Sequence, residues 1–262
     1  MRRDDMDRWI LRKPASAVPR LRLFCFPYAG GGASIYRNWA AALPADVEVC
    51  AVRLPGREGY LGEPPIRRIS QAVDLLSAGL SRYLDLPFAV FGHSMGALLG
   101  YEVTRRLLAD TGRQPCRLFV SGHRAPHLPP RRPRLHDLDH DGFLAGIKAL
   151  NGTPAEVFQH RELIDLLLPV LRADLELVET YAELPGPRLS CPVTALGGDA
   201  DLGVPAEDIA AWRTVTRGPF ESALIEGDHF YVNTARSRLL EVVRDALDRT
   251  SNHEDAACLM SA

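Results

Sequence analysis

The segment that most restricts what this chain can fold into is Phe88-Ala-Val-Phe-Gly-His-Ser-Met-Gly-Ala-Leu-Leu-Gly. Its first four residues read as a buried strand, the residues from Ala97 onward have helical spacing, and Gly-x-Ser-x-Gly joins the two without a loop. A strand that turns directly into a helix holds the serine in a strained backbone conformation. Only glycine at 92 and 96 leaves room for so close an approach. The hydroxyl of Ser94 is thereby pushed outward into a cleft. The pentapeptide alone recurs by chance, and its weight comes from the strand before it and the helix after it.

The rest of the chain supplies the sheet such a turn needs. Leu21 to Phe26, Val47 to Val52, Phe88 to Phe91, Arg117 to Val120, Val193 to Leu196 and Ala223 to Ile225 are short apolar runs bounded by Gly, Pro or charged residues. They read as buried strands. Helix-like stretches lie between them, at Ser70 to Leu84, Ala97 to Ala109, Glu207 to Trp212 and Tyr231 to Leu247. Alternation of this kind predicts an α/β chain whose central sheet is mostly parallel, with right-handed crossovers and flanking helices.

The alternation breaks between about Arg124 and Ser190, where a Pro- and Arg-rich loop (Leu128 to Arg134) leads into a helical pattern. Phe143, Leu144 and Ile147, then Leu163, Leu166, Leu167, Val170, Leu171, Leu175 and Val178, give two helices an apolar face that must pack on something. The expected division is a core of residues 1–123 and 191–250, a helical lid insertion over 124–190, and a frayed, disordered tail at 251–262. The plainer alternative for the insertion is an extra helical layer without a gating role.

Composition removes several classes of function. Thirty-one basic and 33 acidic side chains leave a net charge of -2, which favours neither nucleic acid nor an anionic membrane as partner. The start is charged and lacks the apolar core of a secretory signal, and no stretch is apolar for long enough to span a bilayer, so a cytoplasmic location is expected. Cys25, Cys50, Cys116, Cys191 and Cys258 are odd in number and scattered, which argues against a disulfide framework or a zinc site.

A serine hydroxyl is a poor nucleophile unless a histidine takes its proton and an acid orients that histidine, and in this strand-turn-helix setting the chain order is Ser, Asp, His. His229, in Glu226-Gly-Asp-His-Phe-Tyr, follows the last strand and precedes the final helix. The competing histidines are worse placed: His93 is locked beside the serine, His123 follows an earlier strand, His127, His136, His140 and His160 fall in the insertion, and His253 is in the tail. His136 and His140 have helical spacing but no third metal ligand, and read as a solvated helix start. For the acid, Leu196-Gly-Gly-Asp-Ala-Asp-Leu-Gly offers Asp199 and Asp201. Asp201 lies deeper in the loop and is the choice, while Asp199 is expected to bond the turn itself.

The tetrahedral intermediate of such chemistry needs two backbone donors, one from the residue after the serine and one from a loop after an early strand. These are Met95 and Ala29, the latter in the glycine-rich Phe26-Pro-Tyr-Ala-Gly-Gly-Gly-Ala-Ser. A phosphate loop is the rival reading, but neither the Lys-Ser/Thr ending nor the dinucleotide glycine spacing is present. The whole pattern is that of the α/β-hydrolase fold.

The chain also resembles the stand-alone type II thioesterases that accompany polyketide synthases and nonribosomal peptide synthetases. The likeness runs over nearly the whole chain. Besides Phe26-Pro-Tyr-Ala-Gly-Gly and Phe91-Gly-His-Ser-Met-Gly-Ala, it is carried by Arg53-Leu-Pro-Gly-Arg-Glu with Glu63-Pro-Pro, and by Leu150-Asn-Gly-Thr-Pro-Ala-Glu-Val. Further along it includes Leu168-Pro-Val-Leu-Arg-Ala-Asp, Glu179-Thr-Tyr, Cys191-Pro-Val, Gly197-Gly-Asp-Ala-Asp and Gly227-Asp-His-Phe-Tyr. The resemblance implies an editing enzyme that hydrolyses stalled or aberrant acyl groups from the phosphopantetheine arm of acyl or peptidyl carrier proteins. Ser94 would then be the nucleophile, Asp201 the acid, His229 the base, and Ala29 and Met95 the oxyanion-hole residues. It implies no cofactor or metal of the enzyme's own and a monomer that meets carrier domains.

Tyr60 stands where many relatives have arginine, and Asp228 precedes the histidine where glycine is common. Arg57 is open to two readings, contact with a phosphate or carrier-protein acid and a structural ion pair. The triad by itself also fits a general carboxylesterase or lipase, or an acyltransferase that delivers the acyl group to an alcohol. A non-catalytic binding protein of the same fold is the remaining alternative.

Overall fold

The computed structural model describes residues 8–12, 17–150 and 160–254. Along the chain run β1 (Ile10–Arg12), β2 (Leu21–Phe26), β3 (Val47–Val52), α1 (Ile69–Leu80), β4 (Phe88–His93), α2 (Met95–Thr111) and β5 (Arg117–Ser121). These are followed by α3 (His140–Ala149), α4 (Arg161–Glu179), β6 (Val193–Gly198), α5 (Ala206–Ala210), β7 (Phe220–Ile225), α6 (Tyr231–Thr234) and α7 (Arg236–Glu254). The strands form one sheet in the order β1-β3-β2-β4-β5-β6-β7, parallel throughout except for β1.

All six expected strands are present, and burial on both faces explains why β2 to β6 read as unbroken apolar runs, while the edge strand β7 buries only Ile225 fully. Phe24, Phe26, Val90 and Val120 point to one side, where α1 and α2 cover them. Leu23, Cys25, Phe91 and Phe119 point to the other, against Trp39 and the α7 residues Leu239, Leu240 and Val243. Strand β1 has no counterpart in the sequence reading: it has three residues, of which only Ile10 is buried, too few to show a period. The stretch expected as one helix from Tyr231 breaks at Ala235 (φ −110°, ψ 30°). Its second part continues to Glu254, four residues into the segment expected to be a frayed tail, and 255–262 lie outside the described residues.

Chain order reverses at β2, which has β3 on one side and β4 on the other. In such sheets the crevice outside the carboxyl ends of the strands at the reversal is where ligands bind. Phe26 pairs with Gly92 in that register, so the glycine-rich loop after β2 and the turn holding Ser94 leave the sheet side by side.

The described part of the insertion is two helices. Phe143 and Ile147 of α3 pack with Leu168, Leu171 and Leu175 of α4, while Leu177, on another face of the same helix, joins the core over α2. The apolar face of α4 differs from the expected one: Leu163 and Leu166 are exposed, and Leu168, Val170, Ala173 and Leu177 are buried. Asp139 caps α3 by accepting the N–H of Gly142 at 2.8 Å. The motif Leu150-Asn-Gly-Thr-Pro-Ala-Glu-Val lies, beyond its first residue, outside the described residues.

Candidate active site

Ser94 sits between β4 and α2 with φ 53° and ψ −118°, a conformation a non-glycine residue adopts only under constraint. The constraint is visible in the backbone. The N–H of Ser94 donates to the carbonyl of Ser121 at 2.8 Å, and its own carbonyl accepts from Ala97 at 2.9 Å. A Cβ on Gly92 would overlap the carbonyl oxygen of Gly96, and one on Gly96 would overlap that of Phe26, so both glycines are required by close approach.

The structure brings together the three side chains named from the sequence. His229 Nε2 lies 3.0 Å from Ser94 Oγ, and His229 Nδ1 lies 2.6 Å from Asp201 Oδ2. With Nδ1–H donated to the carboxylate, Nε2 is the unprotonated nitrogen facing the hydroxyl, the arrangement a general base needs. Asp201 is 7% exposed. Burial pushes its pKa up, but the hydrogen bond and charge of His229, with the amides of Gly203 and Val204, outweigh this and hold it below its ordinary value. It is an anion wherever the histidine needs one. Asp199 is exposed and accepts the N–H of Gly227 at 2.9 Å, bonding the turn as expected.

Behind the triad lies a buried chain of polar groups that the sequence reading did not foresee. His93 is fully buried, with Nε2 2.9 Å from the backbone carbonyl oxygen of His229 and Nδ1 2.8 Å from Ser121 Oγ. A carbonyl can only accept, so Nε2 carries the proton and Nδ1 accepts from the Ser121 hydroxyl. Ser121 in turn accepts from the hydroxyl of Tyr231, 2.5 Å away. Burial, with the neighbouring His229, lowers the His93 pKa well below the usual range, which keeps the ring neutral and this direction of bonding intact. The only hint in the sequence was that Tyr231 closes the Gly-Asp-His-Phe-Tyr segment.

The mouth of the site is aromatic. Tyr28 meets His93 and Phe230 edge-on, with centroids 5.9 and 5.7 Å apart, and Phe230 meets His229 at 5.2 Å. Asp228 accepts the N–H of Phe230 at 2.8 Å, a local turn that presents His229. Ala29 is next to Tyr28, and Met95 is the first residue of α2, where helix N–H groups lack internal acceptors and the helix dipole favours negative charge. Among the described residues neither amide donates to a protein acceptor.

The remaining sequence candidates fall elsewhere. His136 is not a solvated helix start: it lies before α3, half-buried, with Nδ1 2.6 Å from Glu179. His123 donates from Nδ1 to the carbonyl of Arg124 at 2.7 Å. Arg57 is buried in an ion pair with Asp174 of α4, and the ring of Tyr60 lies beneath Arg8 and Arg53, with guanidinium carbons 5.5 and 5.9 Å from its centre. Among the described residues Cys25, Cys50, Cys116 and Cys191 are buried and not disulfide-bonded, and burial pushes the Cys191 thiol up to about 12, so it is not a competing nucleophile. Among the described residues no cluster of His, Cys, Asp or Glu is arranged to hold a metal ion.

A parallel sheet crossed by helices, with a serine at the strand-helix elbow and Asp and His on the following loops, defines a protein of the α/β-hydrolase class. This chain belongs to the thioesterase family: the Thioesterase domain model matches residues 21–248. It is 37% identical to the gramicidin S biosynthesis protein GrsT of Aneurinibacillus migulanus over 90% of this chain and 92% of that one. It is 38% identical to thioesterase PikA5 of Streptomyces venezuelae, over 96% and 90% of the two chains. The solved structure of RedJ, a thioesterase from the prodiginine pathway of Streptomyces coelicolor, superposes with a TM-score of 0.81 at 40% identity, covering 89% of this chain and 94% of that one. The chain is thus a thioester hydrolase whose relatives serve nonribosomal peptide and polyketide pathways.

Proposed function

We propose that this enzyme hydrolyses acyl groups held as thioesters on the phosphopantetheine arm of an acyl or peptidyl carrier protein, clearing stalled or aberrant units from a synthase. The observation that carries the reading is the continuous hydrogen-bonded line Ser94–His229–Asp201 at the sheet's reversal point. Family membership gives the line its thioester substrate.

In this mechanism Ser94 Oγ attacks the thioester carbonyl while His229 Nε2 takes its proton, and Asp201 steadies the imidazolium that results. The amides of Ala29 and Met95 hold the oxyanion. The carbon–sulfur bond breaks, the pantetheine thiolate leaves and takes up the proton held by His229, and an acyl-serine remains beside the neutral histidine. Water, deprotonated by His229, attacks that ester, and the carboxylic acid is released as Ser94 recovers its proton. A thiolate leaves readily, so the first step asks less of the protonated histidine than an amide would.

Residues 124–190 act as the lid in this account. The support is that α4 is hydrogen-bonded to the loop bearing Ala29, through Asp174 and Gly30. The enzyme brings no cofactor, since the arm arrives with its substrate, and all triad members come from one chain, which suits a monomer working in the cytoplasm beside its synthase. Among the described residues no helix is long and apolar enough to cross a membrane.

Carrier proteins loaded with short, long and aberrant acyl groups, each incubated with the enzyme and weighed intact, test the reading. Free holo-carrier and carboxylic acid are expected, with simple esters slower. Faster turnover of simple esters, or transfer of the acyl group to an added alcohol in place of water, would overturn it.

A further inference from the structure

Three segments distant in the sequence meet at one buried ion pair. They are the glycine-rich loop after β2, the turn Arg53-Leu-Pro-Gly-Arg-Glu, and the Leu168-Pro-Val-Leu-Arg-Ala-Asp stretch of α4. The Arg57 and Asp174 side chains are 8% and 2% exposed, and they join in a fork, Nη1 to Oδ2 at 2.8 Å and Nη2 to Oδ1 at 2.7 Å. Both partners also hold the loop backbone. Asp174 Oδ2 accepts the N–H of Gly30 at 2.8 Å, and Arg57 Nη1 donates to the carbonyl of Gly31 at 3.0 Å.

The next residue in the turn completes the grip. Glu58 accepts the N–H groups of Ala33 and Ser34, at 3.1 and 2.9 Å. Gly30 has φ +76°, and a Cβ there would meet Leu171 of α4 at 2.5 Å, so helix and loop fit without a gap. A run of three glycines has many backbone conformations of similar energy. An oxyanion donor, by contrast, must be aimed to within about 0.5 Å. The Ala29–Gly30 peptide is thus held by Asp174 of α4, and the Gly31–Gly32 peptide by Arg57. With both Nη atoms turned inward and bonded, Arg57 is not the contact for a phosphate or a carrier acid that the sequence left open.

We propose that Arg57 and Asp174 are positioning residues for the hydrolysis: their ion pair fixes Gly30 and Gly31 and thereby aims the Ala29 amide at the oxyanion. The inference rests on the reading of Ala29 as an oxyanion donor given above. It also makes the lid part of the catalytic geometry, because moving α4 withdraws the acceptor of the Gly30 amide.

Arg57→Lys and Asp174→Asn test it, each measured for kcat and KM on an acyl carrier protein. Two inhibitors are compared: a trifluoromethyl ketone, which forms a tetrahedral adduct with Ser94, and an amide analogue of the thioester, which does not. Both variants are expected to lower kcat by about 30- to 100-fold and to weaken the ketone by a similar factor, as partial loss of an oxyanion donor does. KM and the amide analogue should stay within about twofold, and the double variant should be little worse than either single one.

Folding is followed by near-UV circular dichroism. Arg57→Lys retains the charge and carries the test alone if Asp174→Asn does not fold. Unchanged affinity for the ketone, or equal weakening of ketone and amide analogue, overturns the proposal while leaving the triad reading intact. Hydrolysis retained by Ser94→Ala would instead overturn the triad reading itself.

Discussion

The Nε2 of His93 lies 2.9 Å from the backbone carbonyl oxygen of His229, so the residue before the candidate nucleophile holds the main chain of the candidate base. The two loops that must converge for proton transfer are thereby tied together behind the reacting atoms. Replacing His93 by alanine would take the donor from that carbonyl and the acceptor from the Ser121 hydroxyl, and open a cavity at a fully buried position. The expected cost is about 3 kcal/mol, measured by urea unfolding, with kcat down about tenfold or more. Tyr231→Phe keeps the ring and removes only the last donor of the chain, so about 1 kcal/mol is expected.

The same histidine gives the fold a pH dependence of known sign. Burial lowers the pKa of His93 well below 6.5 and that of His123 to about 4, so in the folded state both stay neutral where the unfolded chain would bind protons. Stability from this source is fully present above the unfolded value of about 6.5 and is lost as pH falls below it, at up to about 1.4 kcal/mol per pH unit and group. Urea midpoints at pH 7.5 and 5.0 should therefore fall on acidification. A midpoint that held steady or rose would contradict neutral burial.

Asp199 and Asp201 are two residues apart and have separate tasks. Asp201→Asn takes the charge and the tautomer lock from His229, and kcat should drop about 10⁴-fold with little change in KM. Asp199→Asn touches only the turn at Gly227 and should leave kcat within about threefold, at a stability cost of about 1 kcal/mol. Reversed magnitudes would assign the acid to the wrong residue.

Gly96→Ala should be among the most damaging small substitutions in the chain. Its methyl group meets the carbonyl of Phe26, which belongs to a central strand and has no room to retreat. A loss of about 4 kcal/mol or more is expected, enough to leave little folded protein on expression. A Gly96→Ala protein with a wild-type melting temperature would show that β2 and α2 are further apart than described.

What could be read from the sequence was chemistry set by local order. Ser94 announced itself because strand, elbow and helix are contiguous, and Asp201 and His229 follow because each lies on the loop after a strand of the same sheet. The roles of Ser121 and Asp174 could not be read in this way. Each acts through bonds to groups far along the chain, Ser121 to His93 and Tyr231 and Asp174 to Gly30 and Arg57, and no periodicity encodes such pairings. The buried face of α4 departs from a single apolar stripe because the helix serves two separate clusters. The helix packs Leu168 and Leu171 on α3 and Leu177 over α2, while Leu163 and Leu166 stay in solvent.

The central claim is that Ser94 carries the acyl group during turnover. A slowly hydrolysed acyl carrier protein, quenched in acid during the steady state and digested, tests this by peptide mass. The account predicts one acyl mass increment on the peptide containing Ser94, absent from Ser94→Ala, whose hydrolysis rate should fall by about 10³-fold or more. An acyl group found on another residue, or turnover by Ser94→Ala near the wild-type rate, would contradict it.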